Sequence, residues 1–143
     1  MKPIAAAAVF AVLAPYAAAE GDHILPYDGS YDDALFAVEN AIVNQGLVID
    51  YVSHVGDMLN RTSGDVGGTT ALFDQAQIFV FCSARVSRQV MEVDPMLIAH
   101  CPYGIFVAER GKEVLIGFRD YPEGPMDLVE TLLTDIVADA TAF

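Results

Sequence analysis

Basic residues are scarce in this sequence: seven lysines and arginines stand against twenty aspartates and glutamates in 143 residues, a formal net charge of −13 at pH 7. That excludes nucleic acid as a partner, because holding phosphates requires a Lys/Arg surface that displaces their counterions. Cysteine is equally sparse. Cys82 and Cys101 are the only two; they form no CxxC redox pair, and no CxxCH run is present to attach a c-type haem. Gly64, Gly67 and Gly68 are not followed by the Lys-Ser/Thr that closes a phosphate-binding loop. Ser53 and Ser83 lie outside any Gly-x-Ser-x-Gly, so a hydrolase elbow finds no support. Beyond residue 20 no segment stays apolar for the eighteen residues of a membrane helix, and no membrane span is expected after processing.

What is present begins with a leader. Lys2 gives a positive start, residues 4–13 an apolar run broken soon after by Pro15, and Ala17-Ala18-Ala19 a small-residue cleavage site. Together these read as a signal peptide over residues 1–19, with cleavage after Ala19 and a single domain over residues 20–143. The expected compartment is the periplasm or the medium. Both are oxidising, which changes how the two cysteines are read.

Along the domain, a weak strand is expected over residues 23–27. Ser30 and Asp33 mark a helix start, the hydroxyl accepting from a first-turn amide and the acid sitting at the positive end of the helix dipole. Ala34, Leu35, Val38, Ala41 and Ile42 then give an apolar stripe at helical spacing, and Gly46 suits a left-handed stop, so a helix is predicted over residues 31–45. Residues 47–52 are β-branched and aromatic, as a strand requires. One or two helical turns over residues 55–59 lead into a plain glycine loop, and residues 77–82 are apolar throughout, like a central buried strand. A short helix over residues 85–93 must end or bend at Asp94-Pro95. Strands at residues 103–108 and 114–118 flank a five-residue connection centred on Gly111, a hairpin. Val129, Leu132, Leu133, Ile136, Val137 and Ala140 form the stripe of a closing helix over residues 126–140. The pattern predicts an α+β, two-layer domain with helices on one face of an antiparallel sheet.

The chemistry-bearing residues concentrate between positions 82 and 101. If the strands ending at Cys82 and beginning after Cys101 are antiparallel neighbours, the two sulfurs come within bridging distance. In an oxidising compartment such a pair is expected to form a structural disulfide, worth on the order of 3 kcal/mol for a loop this long. The competing reading groups the sulfurs with Met91, Met96 and His100 as soft ligands for Cu(I) or a haem iron, although no spacing matches a known copper or haem motif. The cofactor is left unknown and no catalytic residue is assigned. If the cysteines are bridged, Met91 and His100 remain as ligand-binding candidates. His23 would chelate Cu(II) from the third position only if cleavage followed Glu20, not Ala19. His54 with Asp57 reads as an ordinary surface pair, and Arg85, Arg88 and Arg119 as salt-bridge partners before they read as an anion site.

Phe81-Cys82-Ser83-Ala84, Met91-Glu92-Val93-Asp94-Pro95 and Cys101-Pro102-Tyr103 resemble the family named domain of unknown function 302, in an exported form. Gly46, Met91, Asp94, Pro95 and Pro102 match its pattern, whereas Cys82 and Cys101 replace the usual turn glycine and the leucine before proline. The resemblance covers residues 31–137. It implies a β-α-β-β-β-β-α two-layer fold like that of the TATA-binding protein, without DNA binding, and often a homodimer; it implies no activity, cofactor or catalytic residue. Two functional classes follow. One is a non-catalytic module that binds a small ligand or serves a basic redox protein, which an acidic surface would attract. The other is a thiol-disulfide redox enzyme using Cys82 and Cys101, which lacks the neighbouring Lys, Arg or CxxC geometry that would lower a thiol pKa.

Overall fold

The computed structural model describes residues 22–142, so the expected signal peptide and its cleavage after Ala19 lie outside the described residues. Five strands and four α-helices follow in the order β1 (Asp22–Tyr27), α1 (Tyr31–Asn44), β2 (Val48–Ser53), α2 (Val55–Thr62), β3 (Gln75–Cys82), α3 (Ala84–Val93), β4 (Tyr103–Arg110), β5 (Glu113–Arg119) and α4 (Asp127–Ala140). Local chemistry sets most of these boundaries. The Ser30 hydroxyl accepts from the Asp33 amide at 3.1 Å and donates to the Asp33 carboxylate at 2.6 Å, a reciprocal cap that starts α1. Ser83 caps α3 in the same way through the Val86 amide. Asp94 ends α3 in extended backbone, and its carboxylate then accepts from the Met96 amide at 2.9 Å. With Pro95 in the first turn, this opens a 3-10 turn over Pro95–His100. Gly46 and Gly111 hold φ of 74° and 65°, which side chains with a Cβ rarely adopt, and so allow the helix stop and the hairpin.

The strands form one antiparallel sheet in the order β1-β5-β4-β3-β2. Side chains alternate across it. Phe79 and Phe81 of β3, Tyr103, Ile105 and Val107 of β4, and Val114, Ile116 and Phe118 of β5 point to the face covered by α1 and α4. There they meet Val38, Ile42, Val129, Leu133 and Ile136, all without solvent exposure. The opposite face carries Ile78, Val80, Gly104, Phe106 and Leu115, only partly buried, with no long helix over it. This is the α+β, two-layer architecture the sequence pattern predicts.

Three local expectations need correction. The hairpin turn is the two residues Gly111-Lys112 rather than five, because Glu109 and Arg110 continue the ladder opposite Val114 and Glu113. The Gly111 amide also donates to the Asp74 carboxylate at 2.6 Å, and only the first central residue has positive φ. Helix α2 runs three residues beyond the expected 59, to Thr62. The glycine segment is not a plain loop: it contains a 3-10 turn over Gly64–Val66, stopped by Gly67 at φ 76°.

Candidate functional site

The register of β3 with β4 decides where the sulfurs lie. Phe81 faces Tyr103, so Cys82, just past the end of that pairing, lies beside the chain entering β4, where Cys101 sits. The two side chains are close enough to affect each other's charge, and both are free thiols. The expected disulfide is therefore not formed here, although its geometric premise holds. Closing it requires an oxidant to remove two electrons and two protons from the pair. Burial raises the Cys82 thiol above its ordinary value, and negative charge on Cys101 raises it further, against the lowering effect of the Tyr103 amide. A thiol held protonated is a poor nucleophile.

Around the thiols lies a half-buried pair of hydroxyls that sequence reasoning missed. Ser87 on α3 sits 2.8 Å from the Tyr103 hydroxyl and 3.8 Å from the Cys101 sulfur. Burial drives Tyr103 far above the usual phenol range, with the Ser87 hydrogen bond opposing. The Tyr121 ring meets Tyr103 edge-on at 6.1 Å and His100 at 6.2 Å. Over its face, 5.1 Å from the ring centre, lies the Arg119 guanidinium, which also donates to the His100 carbonyl at 3.2 Å. Burial raises Tyr121 as well, while Arg119 lowers it. No local pattern announced a role for Ser87 or Tyr121; the packing of α3 and the order of the strands bring them to this site.

On the uncovered face beside these groups is a groove of about 420 Å³. Ile78, Val80 and Phe106 wall it, Cys101 and Pro102 close one end, and Arg119 is the single charged residue lining it. Gly117 shapes the wall, since a Cβ there would lie 2.8 Å from the Phe106 ring and 2.5 Å from the His23 carbonyl. Of the four residues singled out from the sequence, Cys101 lines the groove and Cys82 lies beside it on the neighbouring strand. His100 packs on Tyr121 at the same end, and Met91 lies half-buried on α3; neither lines the groove. A larger groove, about 710 Å³, runs between the end of β1, α1 and the end of α4. Asp28, Asp33 and Asp139 are among its lining residues, and none of the thiols is. Arg88 pairs with Glu92, four residues on along α3, at 2.9 Å, a salt bridge of the kind expected for it.

At a third place, His23 of β1 stacks on Phe118 with ring centres 4.5 Å apart and planes 13° from parallel. Its Nε2 faces Asp120 Oδ1 at 3.5 Å and Glu130 Oε1 at 3.9 Å. Glu130 Oε1 also accepts from the Tyr121 amide at 2.8 Å, which fixes it at the head of α4.

The family model described as domain of unknown function DUF302 matches residues 23–141. A crystal structure of an uncharacterized conserved protein DUF302 from Bacillus stearothermophilus is similar over 85% of this chain and 97% of that one. Its TM-score is 0.68 at 11% sequence identity, a likeness of fold. No curated protein matches the chain.

Proposed function

The chain belongs to the family of domain of unknown function DUF302, whose description supplies no activity, and from the site's geometry we propose that it is a non-catalytic module binding a small apolar ligand with an anionic end. The observation that carries this is the groove beside Cys101. Its walls are apolar, its volume of about 420 Å³ falls within the range of small-molecule sites, and its single charged liner is a cation in a chain of net charge −13. Arg119 is held by the Tyr121 ring and the His100 carbonyl, so its guanidinium keeps little rotational freedom to lose when it meets a carboxylate or sulfonate.

The adjacent thiols give a second reading, thiol-disulfide exchange, in which Cys82 and Cys101 together pass two electrons and two protons to an oxidised partner disulfide. Burial works against it by keeping Cys82 protonated. A haem or copper site built on Met91 and His100 draws less support, because neither residue lines the groove at the thiols. In the exported protein, in the periplasm or the medium, the neighbouring thiols oxidise to a structural disulfide that locks the groove's end. The partners of this reading are a second copy of the chain and a basic redox protein drawn by the acidic surface.

The test uses dodecanoate, with dodecanol as its neutral counterpart, by calorimetry on the purified protein. Dodecanoate is expected to bind once per chain, and Arg119→Gln to weaken it about tenfold, the worth of one charge-assisted hydrogen bond, while dodecanol is unaffected. Equal weakening of both ligands, or no binding of either, would overturn the proposal.

A further inference from the structure

Three segments distant in sequence meet at one corner of the molecule. Strand β1 brings His23, the residue after β5 is Asp120, and the first turn of α4 brings Glu130. One ligand atom from each lies within 4.8 Å of the others. We propose that these three residues bind a divalent transition-metal ion of the zinc class, and that the ion ties β1 to the head of α4. The three ligands are independent of the groove beside Cys101, since none of them is among its lining residues.

The distances favour a shared ion over direct contacts. At 3.5 and 3.9 Å the imidazole nitrogen is too far from either carboxylate for a good hydrogen bond, and its one N–H could serve only one of them. Two ligands on a tetrahedral ion, with bonds of about 2.1 Å, stand about 3.4 Å apart. The two carboxylates also repel each other, and a divalent charge between them removes that cost.

Each donor is already oriented. Stacking on Phe118 fixes the plane of His23 so that Nε2 faces both oxygens, and the Tyr121 amide holds Glu130 Oε1. A histidine whose ring is positioned by its surroundings, and a carboxylate fixed by a backbone hydrogen bond, are the supports that metal ligands ordinarily have. The donor set of one nitrogen and two carboxylate oxygens suits zinc, cobalt or manganese and gives no preference to the soft Cu(I). Three protein ligands leave a coordination position for water at this exposed corner. The strand order adds a role: β1 is an edge strand whose ladder neighbour is β5, and the ion would fasten it further to α4.

The test is calorimetric titration of the tag-free protein with Zn²⁺, repeated on His23→Gln, Asp120→Asn and Glu130→Gln, and on Cys82→Ser/Cys101→Ser as the control for thiolate ligation. One ion per chain is expected, with affinity reduced at least about tenfold in each of the three variants and unchanged in the double serine variant. Asp120 is exposed, and Glu130→Gln retains an oxygen for the Tyr121 amide, so both variants should fold; circular dichroism checks this. With Co²⁺ as the probe, visible bands should appear without a sulfur-to-cobalt charge-transfer band. No binding of Zn²⁺, binding insensitive to all three substitutions, or binding lost only with the thiols would overturn the proposal.

Discussion

On the helix-covered face of the sheet Ile105 and Ile116, like Leu133 of the covering helix α4, keep no solvent exposure, whereas on the opposite face Ile78, Val80 and Phe106 are half-buried and Val48 and Tyr51 are 74% and 63% exposed. The residue types are the same; the coverage differs. A face sealed by α1 and α4 converts apolar area into stability, while the other keeps its apolar area in contact with water, where a ligand can use it. The thiols sit at the border between the two, joined through Ser87 and Tyr103 to the covered side and through Cys101 to the open groove.

The sharpest way to break this comparison is truncation on each side. Leu133→Ala on the covered face should cost about 2–5 kcal/mol, because the tightly packed site closes only partly around the cavity. Val80→Ala on the open face should cost about 1 kcal/mol or less. Urea unfolding under reducing conditions measures both, and equal costs would mean that the faces do not divide the work as described.

The border itself responds to oxidation. Oxidising Cys82 and Cys101 should raise stability by about 3 kcal/mol over the reduced form, and Cys101→Ser should abolish the difference between the two redox conditions. Thermal unfolding with and without reductant reads this. A bridge that left stability unchanged would show that the reduced chain already carries the constraint.

The smallest effect comes from inside the covered face. Burial, followed by the charges of Asp57, Asp32 and Glu109, pushes Tyr31 up to about 12, and its buried hydroxyl has no hydrogen-bond partner. Because the folded value exceeds the unfolded one, its contribution is fully present below pH 10 and is lost as pH rises through 12. Tyr31→Phe should leave stability at pH 7 unchanged or slightly higher, since no satisfied bond is removed, and should move alkaline unfolding to higher pH. A clear loss of stability at pH 7 would show that the hydroxyl is bonded in solution.

The fold was legible wherever a short-range rule acts. Ser30 with Asp33, Asp94 with Pro95, Gly46 and Gly111 each state a boundary within four residues of themselves, and the apolar stripes of α1 and α4 state a face. Cys82 and Cys101 were legible as neighbours because antiparallel order alone brings the end of β3 beside the start of β4. The Ser87 and Tyr103 hydroxyls, the Arg119 cation at the groove and the His23, Asp120 and Glu130 corner were not. Each depends on strand order across the sheet, which residue spacing does not encode. Strand ends were also short by a residue or two at Arg110 and Glu113, where ladder hydrogen bonds extend pairing into charged residues with no strand preference of their own.

Pairing β1 with β5 sets a timetable for the growing chain. Among the described residues β1 is the first strand made, yet its ladder partner, residues 113–119, is the last strand made. Until then β1 has no ladder to join, and α1 lacks both β5 and α4 beneath and beside it. A nascent chain therefore cannot complete the sheet by adding strands in the order they appear, and the sheet stays open at β1 until β5 has been made.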